Sequence, residues 1–429
     1  MRILCSVLLA FVLSGCDATM LYVRGAPLSG RDLSIFETYA GRYCEVTDAS
    51  GRRSVQVECS RLRDFVSPSD KWCTSAPDGF TPAYGHFPGQ KKPMRLCRDL
   101  SSSLRSGRER IRFLVFGDAG RGEDVSQGFR QASVARAMSV ICAPGGGARD
   151  DNDESDRGLG CDFAIMLGDL IYPHGVTSVW DAKLDRFFED MYRPFGQFDF
   201  YAVPGNHDAL GSSIAQFEYT WFSDRWRMLA PWFEIPDLPP WLGLFGLDTS
   251  AMEEDEGLTG SPLPDTTRLQ LADAERDLCS RKNWRIMFGH HPNLSNGSHG
   301  GTPGVARRLT DFSENCPIDL YFAGHDHHQE HIHGQPFDTI IQGAGGAKIR
   351  PVKLSTLESP ELGAQRFAAA EHGFALVDAT EASLEVTFYG LPVDDSGPPR
   401  FLYRCAIQSA HALLALRGEP FAGCVPVQK

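Results

Sequence analysis

The stretch Ile111-Arg112-Phe113-Leu114-Val115-Phe116-Gly117-Asp118-Ala119-Gly120 reads as a buried strand that ends in a carboxylate. Its short run of apolar, β-branched and aromatic residues, closed by a glycine, favours a strand over a helix. The same arrangement returns along the chain. Phe163 to Leu167 runs into Gly168-Asp169-Leu170-Ile171-Tyr172, and Phe200 to Val203 into Gly205-Asn206-His207-Asp208. Ile286 to Phe288 runs into Gly289-His290-His291-Pro292, and Ile318 to Ala323 into Gly324-His325-Asp326-His327. One Asp after one strand caps a helix or makes a turn. Five polar blocks in order, each at a strand exit, do not arise that way.

Segments with helical periodicity lie between these runs. Val125 to Cys142 carries small and apolar residues without proline. Val179 to Tyr192 places Trp180, Leu184, Phe187, Phe188 and Met191 on one side, and Leu269 to Leu278 spaces apolar residues among charges. Strands alternating with helices imply parallel strands joined by crossovers, an α/β sheet that binds ligands at its carboxyl ends. All the polar blocks fall there.

The donors in these blocks are Asp118, Asp169, Tyr172, Asn206, His290, His325 and His327. Carboxylate, amide oxygen, imidazole and phenolate suit divalent zinc, manganese or iron and trivalent iron, and the absence of cysteine argues against a structural zinc site. A carboxylate such as Asp169 can bridge two ions, a pair that activates water and clamps the oxygens of a phosphate. Tyrosine ordinarily loses its proton only near pH 10, so a phenolate ligand needs a strongly Lewis-acidic ion. Ferric iron is the natural candidate.

The order Gly-Asp-x-Gly, Gly-Asp-x-x-Tyr, Gly-Asn-His-Asp, Gly-His-x-Pro, Gly-His-x-His resembles the calcineurin-like metallophosphoesterases, and within them the purple acid phosphatases. Other members of that superfamily usually begin Asp-x-His; this chain has Gly120 there and supplies Tyr172 instead. The Gly-His-Asp-His block and Gly343-Ala344-Gly345 resemble the small, tartrate-resistant animal-type enzymes, with the likeness running from about Arg110 to Gly390. The resemblance implies a four-layer α/β/β/α sandwich, two sheets face to face with helices outside. It implies that Asp118, Tyr172 and His327 hold Fe(III), that Asp169 is shared, and that Asn206, His290 and His325 hold a divalent ion (Fe, Zn or Mn). By the same likeness His207 and His299 are catalytic, facing the phosphate and its leaving group without binding metal. His291 stands where an aromatic residue is common and adjoins His290, so two imidazoles compete for one ligand position; His290 is assigned. The implied function is an acid phosphatase that hydrolyses phosphate monoesters with a metal-activated water or hydroxide. Alternatives are a phosphodiesterase or nucleotide hydrolase on the same site, and an inactive-phosphatase surface binding module, which the intact ligand set opposes.

Other polar residues take plainer readings. His328, His331 and His333 alternate along an expected strand, Gln329 to His333, and read as exposed strand histidines. His174 reads as a loop histidine, and the sequons at Asn293 and Asn296 matter only in a eukaryotic secretory pathway. The acidic run Asp150 to Asp156 lacks the ordered spacing of a calcium loop and reads as a solvated loop.

The chain has 429 residues, 42% of them hydrophobic, and a net charge of -13, ample for a large core and a poor match for polyanions. Stable nucleic-acid binding is therefore not expected; the expected partners are phosphorylated small molecules, a phosphoprotein or a nucleotide. Residues 1–15 read as a signal peptide: Arg2, an apolar stretch from Ile3 to Leu13, then Leu13-Ser14-Gly15-Cys16. The stretch falls short of the ~20 residues of a membrane span. It resembles a bacterial lipoprotein signal cleaved before Cys16, giving an exported periplasmic or cell-surface protein with a lipid anchor. Of twelve cysteines, ten remain outside Cys5 and Cys16, an even number that suits disulfides in an exported protein. Cys142 with Cys161, Cys279 with Cys316, and Cys405 with Cys424 are the expected pairs; Cys44, Cys59, Cys73 and Cys97 can pair three ways. Residues 16–108 form an accessory region without a metal motif, 109–395 the metallophosphoesterase domain, and 396–429 a disulfide-closed tail. Cys16→Ser should yield uncleaved or released protein with a working site, and mass spectrometry of the wild type should find lipid on Cys16. An unmodified Cys16 in the mature chain refutes the anchor.

Overall fold

A computed structural model of the chain describes residues 34–37, 43–47, 54–58, 107–143, 160–178, 181–253, 265–354, 363–407 and 425–426, apart from 197, 221, 222, 224, 335 and 394–396. The leader with Cys16, the acidic run at 150–156, the pairing of the four amino-terminal cysteines and Cys424 lie outside the described residues.

The chain first builds half of one sheet, then a second sheet, then returns to complete the first. Strand β1 (Arg110–Phe116) pairs in parallel with β2 (Phe163–Met166), which pairs in parallel with β3 (Asp199–Ala202), and the short β4 (Trp226–Arg227) closes that edge. Helix α1 (Gln131–Cys142) makes the crossover from β1 to β2. The second sheet holds β5 (Phe233–Glu234), β6 (Leu242–Gly246), β7 (Trp284–Phe288), β8 (Leu320–Ala323), β9 (Gln329–His333), β10 (Asp338–Gln342) and β11 (Ala364–Ala369) in the order β5-β6-β7-β8-β10-β9-β11. Helices α2 (Asp265–Leu278) and α3 (Pro303–Asn315) precede β7 and β8. The chain then returns through β12 (Gly373–Thr380), β13 (Leu384–Gly390), β14 (Arg400–Ile407) and β15 (Val425–Pro426), which extend the first sheet from β1 in antiparallel fashion.

The period of two along β1 sorts its side chains into two cores. Ile111, Phe113 and Val115 join the larger core, shared with Ile286 and Leu320 of the second sheet and with Leu278 and Leu309 of α2 and α3. Leu114 and Phe116 join the smaller one, with Val134 and Met138 of α1. The layers are therefore helix, sheet, sheet, helix, an α/β sandwich. Burial of each large apolar side chain contributes ~1.5–3 kcal/mol, and strands apolar on both faces are fixed between layers.

Disulfides join Cys142 to Cys161 and Cys279 to Cys316. The second links the residues that follow α2 and α3, just ahead of the neighbouring strands β7 and β8. Cys405 is also disulfide-bonded.

Four sequence expectations change. The helix expected from Val125 begins only at Gln131, because Gly128 turns the chain with φ of +84°, a backbone suited to glycine. The helix expected over Val179 to Tyr192 is helical from Ala182 and widens into a π turn over Asp185–Glu189, where the Phe187 carbonyl accepts from Gln131 Nε2 at 2.6 Å. The segment expected as a tail from residue 396 contributes a strand to the first sheet: β14 pairs along the whole of β13, from Leu384↔Ile407 to Gly390↔Arg400. The histidines after the last block are not exposed strand residues. Strand β9 lies inside the sheet between β10 and β11, and His328 and His331 are fully buried. Each imidazole has a carboxylate neighbour there, which is what makes the burial tolerable: His328 Nε2 lies 3.0 Å from Glu330 Oε2, and His331 and His333 face Asp338.

Candidate metal centre

The five polar blocks converge at the carboxyl ends of β1, β2, β3, β7 and β8, and the seven expected donors fall into two adjoining groups. In the first, the Tyr172 hydroxyl lies 3.0 Å from Asp118 Oδ1, 3.0 Å from Asp169 Oδ2 and 3.1 Å from His327 Nε2. In the second, Asn206 Oδ1 lies 3.0 Å from His290 Nε2 and 3.1 Å from His325 Nδ1, and the two imidazole nitrogens are 3.2 Å apart. Asp169 stands between the groups: Oδ2 faces Tyr172, and Oδ1 is 3.5 Å from His290 Nε2.

Local backbone makes this convergence possible. Asp118, Asp169 and His325 take left-handed φ of 55°, 49° and 67°. Such positions cost ~1–3 kcal/mol each and persist where the surroundings hold them. Here the Asp118 amide donates to the Gly168 carbonyl at 3.1 Å, its carbonyl accepts from Ala347 at 2.7 Å, and the His325 amide donates to Asp118 Oδ2 at 2.8 Å. Gly120 explains why no histidine stands two residues after Asp118. A Cβ there would lie 1.4 Å from the Leu170 carbonyl oxygen. The bare backbone instead lets the Tyr172 amide donate to the Gly120 carbonyl at 2.7 Å, and that bond holds Tyr172 over the centre.

The donor set fits cations. The single hydroxyl proton of Tyr172 cannot serve all three acceptors around it, whereas a cation among them serves every lone pair at once. His290 Nδ1 donates to the Leu167 carbonyl and His327 Nδ1 to the Lys348 carbonyl, both at 2.8 Å, which leaves each Nε2 as a lone-pair donor. Charge agrees with this. Burial opposes ionisation of Asp118, yet His327 and His290 hold its carboxyl below the usual range. Burial likewise opposes protonation of His290, but Asp169 and Asp118 raise its pKa on balance. Burial and the neighbouring imidazoles push His325 and His291 down, His291 to about 3, so both are neutral. Burial, then Asp118 and Asp169, push Tyr172 well above its ordinary value. Its phenol keeps its proton unless a cation displaces it.

The other expected residues flank these groups. His207 Nδ1 lies 2.6 Å from the Pro173 carbonyl, and its Nε2 is 3.9 Å from Asp169 Oδ2. The exposed His299 packs its ring 4.3 Å from that of His325. His291, the competitor of His290, is buried with Nδ1 2.9 Å from Thr249 Oγ1, and its ring lies 4.7 Å from that of His325. His174 is exposed in the loop after Tyr172. Asn293 is buried and accepts from Thr339 Oγ1 at 2.9 Å, which ties that sequon into the fold.

Sequence reasoning passed over the residues that hold the blocks in place. Buried Asp208 accepts from the amides of Leu170 at 3.0 Å and Gly205 at 3.0 Å, joining the second block to the third. Burial and the charge of Asp169 push its pKa up to about 7. Buried Asp326 accepts from the His299 amide at 2.9 Å, the Gly300 amide at 3.2 Å and the Ser295 hydroxyl at 2.6 Å. Glu330 takes both the amide and the side chain of Asn296 at 3.0 and 2.8 Å. Asp208 and Asp326 sit within the quoted blocks, but nothing in their spacing told ligand from scaffold.

A family profile described as calcineurin-like phosphoesterase matches residues 111–329. The chain is similar to human tartrate-resistant acid phosphatase type 5, at 28% identity over 57% of this chain and 79% of that one. It is also similar to purple acid phosphatase 3 of Arabidopsis thaliana, at 29% identity over 71% of this chain and 80% of that one. Among solved structures, GAP50, the anchor in the inner membrane complex of Plasmodium, aligns with a TM-score of 0.54 at 17% identity, covering 73% of this chain and 96% of that one. That likeness speaks for the fold alone.

Asp326→Asn replaces one acceptor oxygen with a donor. It should speed hydrogen exchange at the His299 and Gly300 amides and lower stability by ~1–3 kcal/mol. Unchanged exchange at both amides would show that Asp326 does not hold this loop.

Proposed function

The chain belongs to the calcineurin-like phosphoesterase family and is a phosphatase, and on that premise we propose that it is a purple acid phosphatase hydrolysing phosphate monoesters at a centre of Fe(III) and a divalent ion. The observation that carries this reading is the Tyr172 oxygen, set between two carboxylates and an imidazole nitrogen at 3.0–3.1 Å. Asp118, Tyr172 and His327 would hold the ferric ion; Asn206, His290 and His325 would hold Fe, Zn or Mn; Asp169 would serve both. When bound, the ions supply a nucleophile from water near neutral pH and neutralise charge on the phosphate.

The chain's own groups do the rest. His207 anchors Nδ1 on the Pro173 carbonyl and keeps Nε2 free to hold a proton toward the phosphate. His299 stands on the other flank, its backbone fixed by Asp326, where it can give a proton to the departing oxygen. The Asp169 carboxylate also accepts from the His207 amide at 2.8 Å, so the position of the acid follows that of the shared ligand. The amino-terminal signal supports the further proposal that the enzyme works outside the cytoplasm, anchored through Cys16.

Two substitutions test these roles. Phenolate bound to ferric iron absorbs visible light by charge transfer, so the oxidised protein should be violet to pink. Tyr172→Phe should bleach that band even with iron retained by Asp118, Asp169 and His327. A colourless wild type loaded with ferric iron removes Tyr172 from the ligand set.

His207→Ala should slow phosphomonoester turnover ~10²–10⁴-fold, the usual worth of general acid–base help. Metal analysis should still find two ions per chain. Loss of an ion instead would make His207 a ligand.

A further inference from the structure

We propose that His291 is a third imidazole donor to the divalent ion, beside His290 and His325. The proposal rests on the binuclear reading above and adds a ligand to it.

The three rings stand in a nearly regular triangle. Ring centres are 4.9 Å apart between His290 and His291, 4.7 Å between His291 and His325, and 5.0 Å between His290 and His325. No pair is stacked: the planes meet at 78°, 54° and 81°. One ring nitrogen from each residue lies within 4.8 Å of the other two. Stacking gathers imidazoles face to face, whereas a shared ion gathers them by their nitrogens. At a zinc–nitrogen distance of ~2.0–2.1 Å each ring centre sits ~3.2 Å from the ion, and two such rings are ~4.5–5.2 Å apart for angles of ~90–109°. All three observed spacings fall in that range.

The surroundings of His291 hold its ring in this arrangement. Thr249 Oγ1 accepts the His291 amide at 3.0 Å and lies 2.9 Å from Nδ1. Gly289 makes room for that hydroxyl, since a Cβ there would lie 2.5 Å from Thr249 Cγ2. The Tyr321 hydroxyl donates to the His291 carbonyl at 2.7 Å, which pins the backbone as well. With Nδ1–H on Thr249, the lone pair of His291 lies on Nε2. The Leu167 and Lys348 carbonyls impose the same arrangement on His290 and His327. His291 is fully buried. An apolar aromatic ring could fill such a space without desolvating two nitrogens, a cost that coordination offsets.

The two halves of the centre then differ in kind. Asp118, Tyr172, His327 and the shared Asp169 give the ferric ion one imidazole among oxygens. His290, His291 and His325, with Asn206 and Asp169, give the divalent ion three. Imidazole suits zinc and oxygen ligands suit manganese, so the added nitrogen widens the preference for zinc over manganese.

The test uses the full chain carrying one ferric iron and one zinc, as wild type, His291→Phe and Thr249→Val. X-ray absorption at the zinc edge should count three imidazoles per zinc in the wild type and two in His291→Phe. Zinc affinity, measured by competition with a chelator, should fall at least ~100-fold in His291→Phe and less in Thr249→Val, because losing a partner that only orients a ligand costs ~10–100-fold. Manganese affinity should fall less than zinc affinity. Two imidazoles per zinc in the wild type, or a smaller loss of zinc affinity in His291→Phe, overturns the proposal. If His291→Phe does not fold, the wild-type count alone decides. Phosphomonoester turnover by the same wild-type sample keeps the hydrolase reading separate: two imidazoles with turnover sinks only the added ligand, and three without turnover sinks only the hydrolase. A wild type that binds no zinc overturns both.

Discussion

The carboxylate of Asp118 is the contact on which the rest of the site depends. It ends the central strand of one sheet, while His325 and His327 follow a strand of the other. Oδ2 accepts the His325 amide at 2.8 Å, and Oδ1 meets the Tyr172 hydroxyl at 3.0 Å and His327 Nε2 at 3.3 Å. One buried side chain thereby pins the carboxyl ends of both sheets together. A fully buried carboxylate without such partners is strongly disfavoured, so satisfying Asp118 and aligning the sheets are a single requirement.

A shell of buried acids around it works through backbone amides rather than through cations. Asp208 holds the block after β2 against the block after β3, and Asp326 holds the His299 loop against the block after β8. Charge-assisted bonds to N–H groups are short and directional, and each closes a loop that otherwise connects to the site only through the chain. The left-handed residues among the donors sit inside this frame. Their strain is local, and the frame that over-determines them is spread over several loops. Such a site holds its donors in place ahead of any ligand, which is what charge stabilisation during phosphoryl transfer asks of a protein.

Much of this was legible from the residues. Strands β1, β2, β3, β7 and β8 were recognisable because strands buried on both faces must be apolar throughout, and the glycine closing each marked its exit. The donors sat at those exits. The misreadings share one cause. Strand β9 carries histidines, glutamine and glutamate, so composition marked it as exposed, and only partners brought to it by the fold, Asp338 on the neighbouring β10 and Tyr403 on β14 of the other sheet, let it lie inside the sheet. The segment containing β14 was expected as a disulfide-closed tail, and its register with β13 places that strand in the sheet.

By itself the sequence determined the α/β alternation, the order of the donors and their chemical types, because periodicity and residue chemistry are local and survive without knowledge of the fold. Only the tertiary structure decided which polar residues of a block face the centre and which face the backbone. Asp118 and His325 are 207 residues apart, and His299 and Arg350 are 51 apart. Contacts of that range follow from how the two sheets pack, not from any spacing along the chain. The closeness of Gly120 to Leu170, which admits Tyr172 and bars a histidine, and the carboxylate that steadies His299 are properties of loops brought together in space. A residue's role there is set by the neighbour it meets.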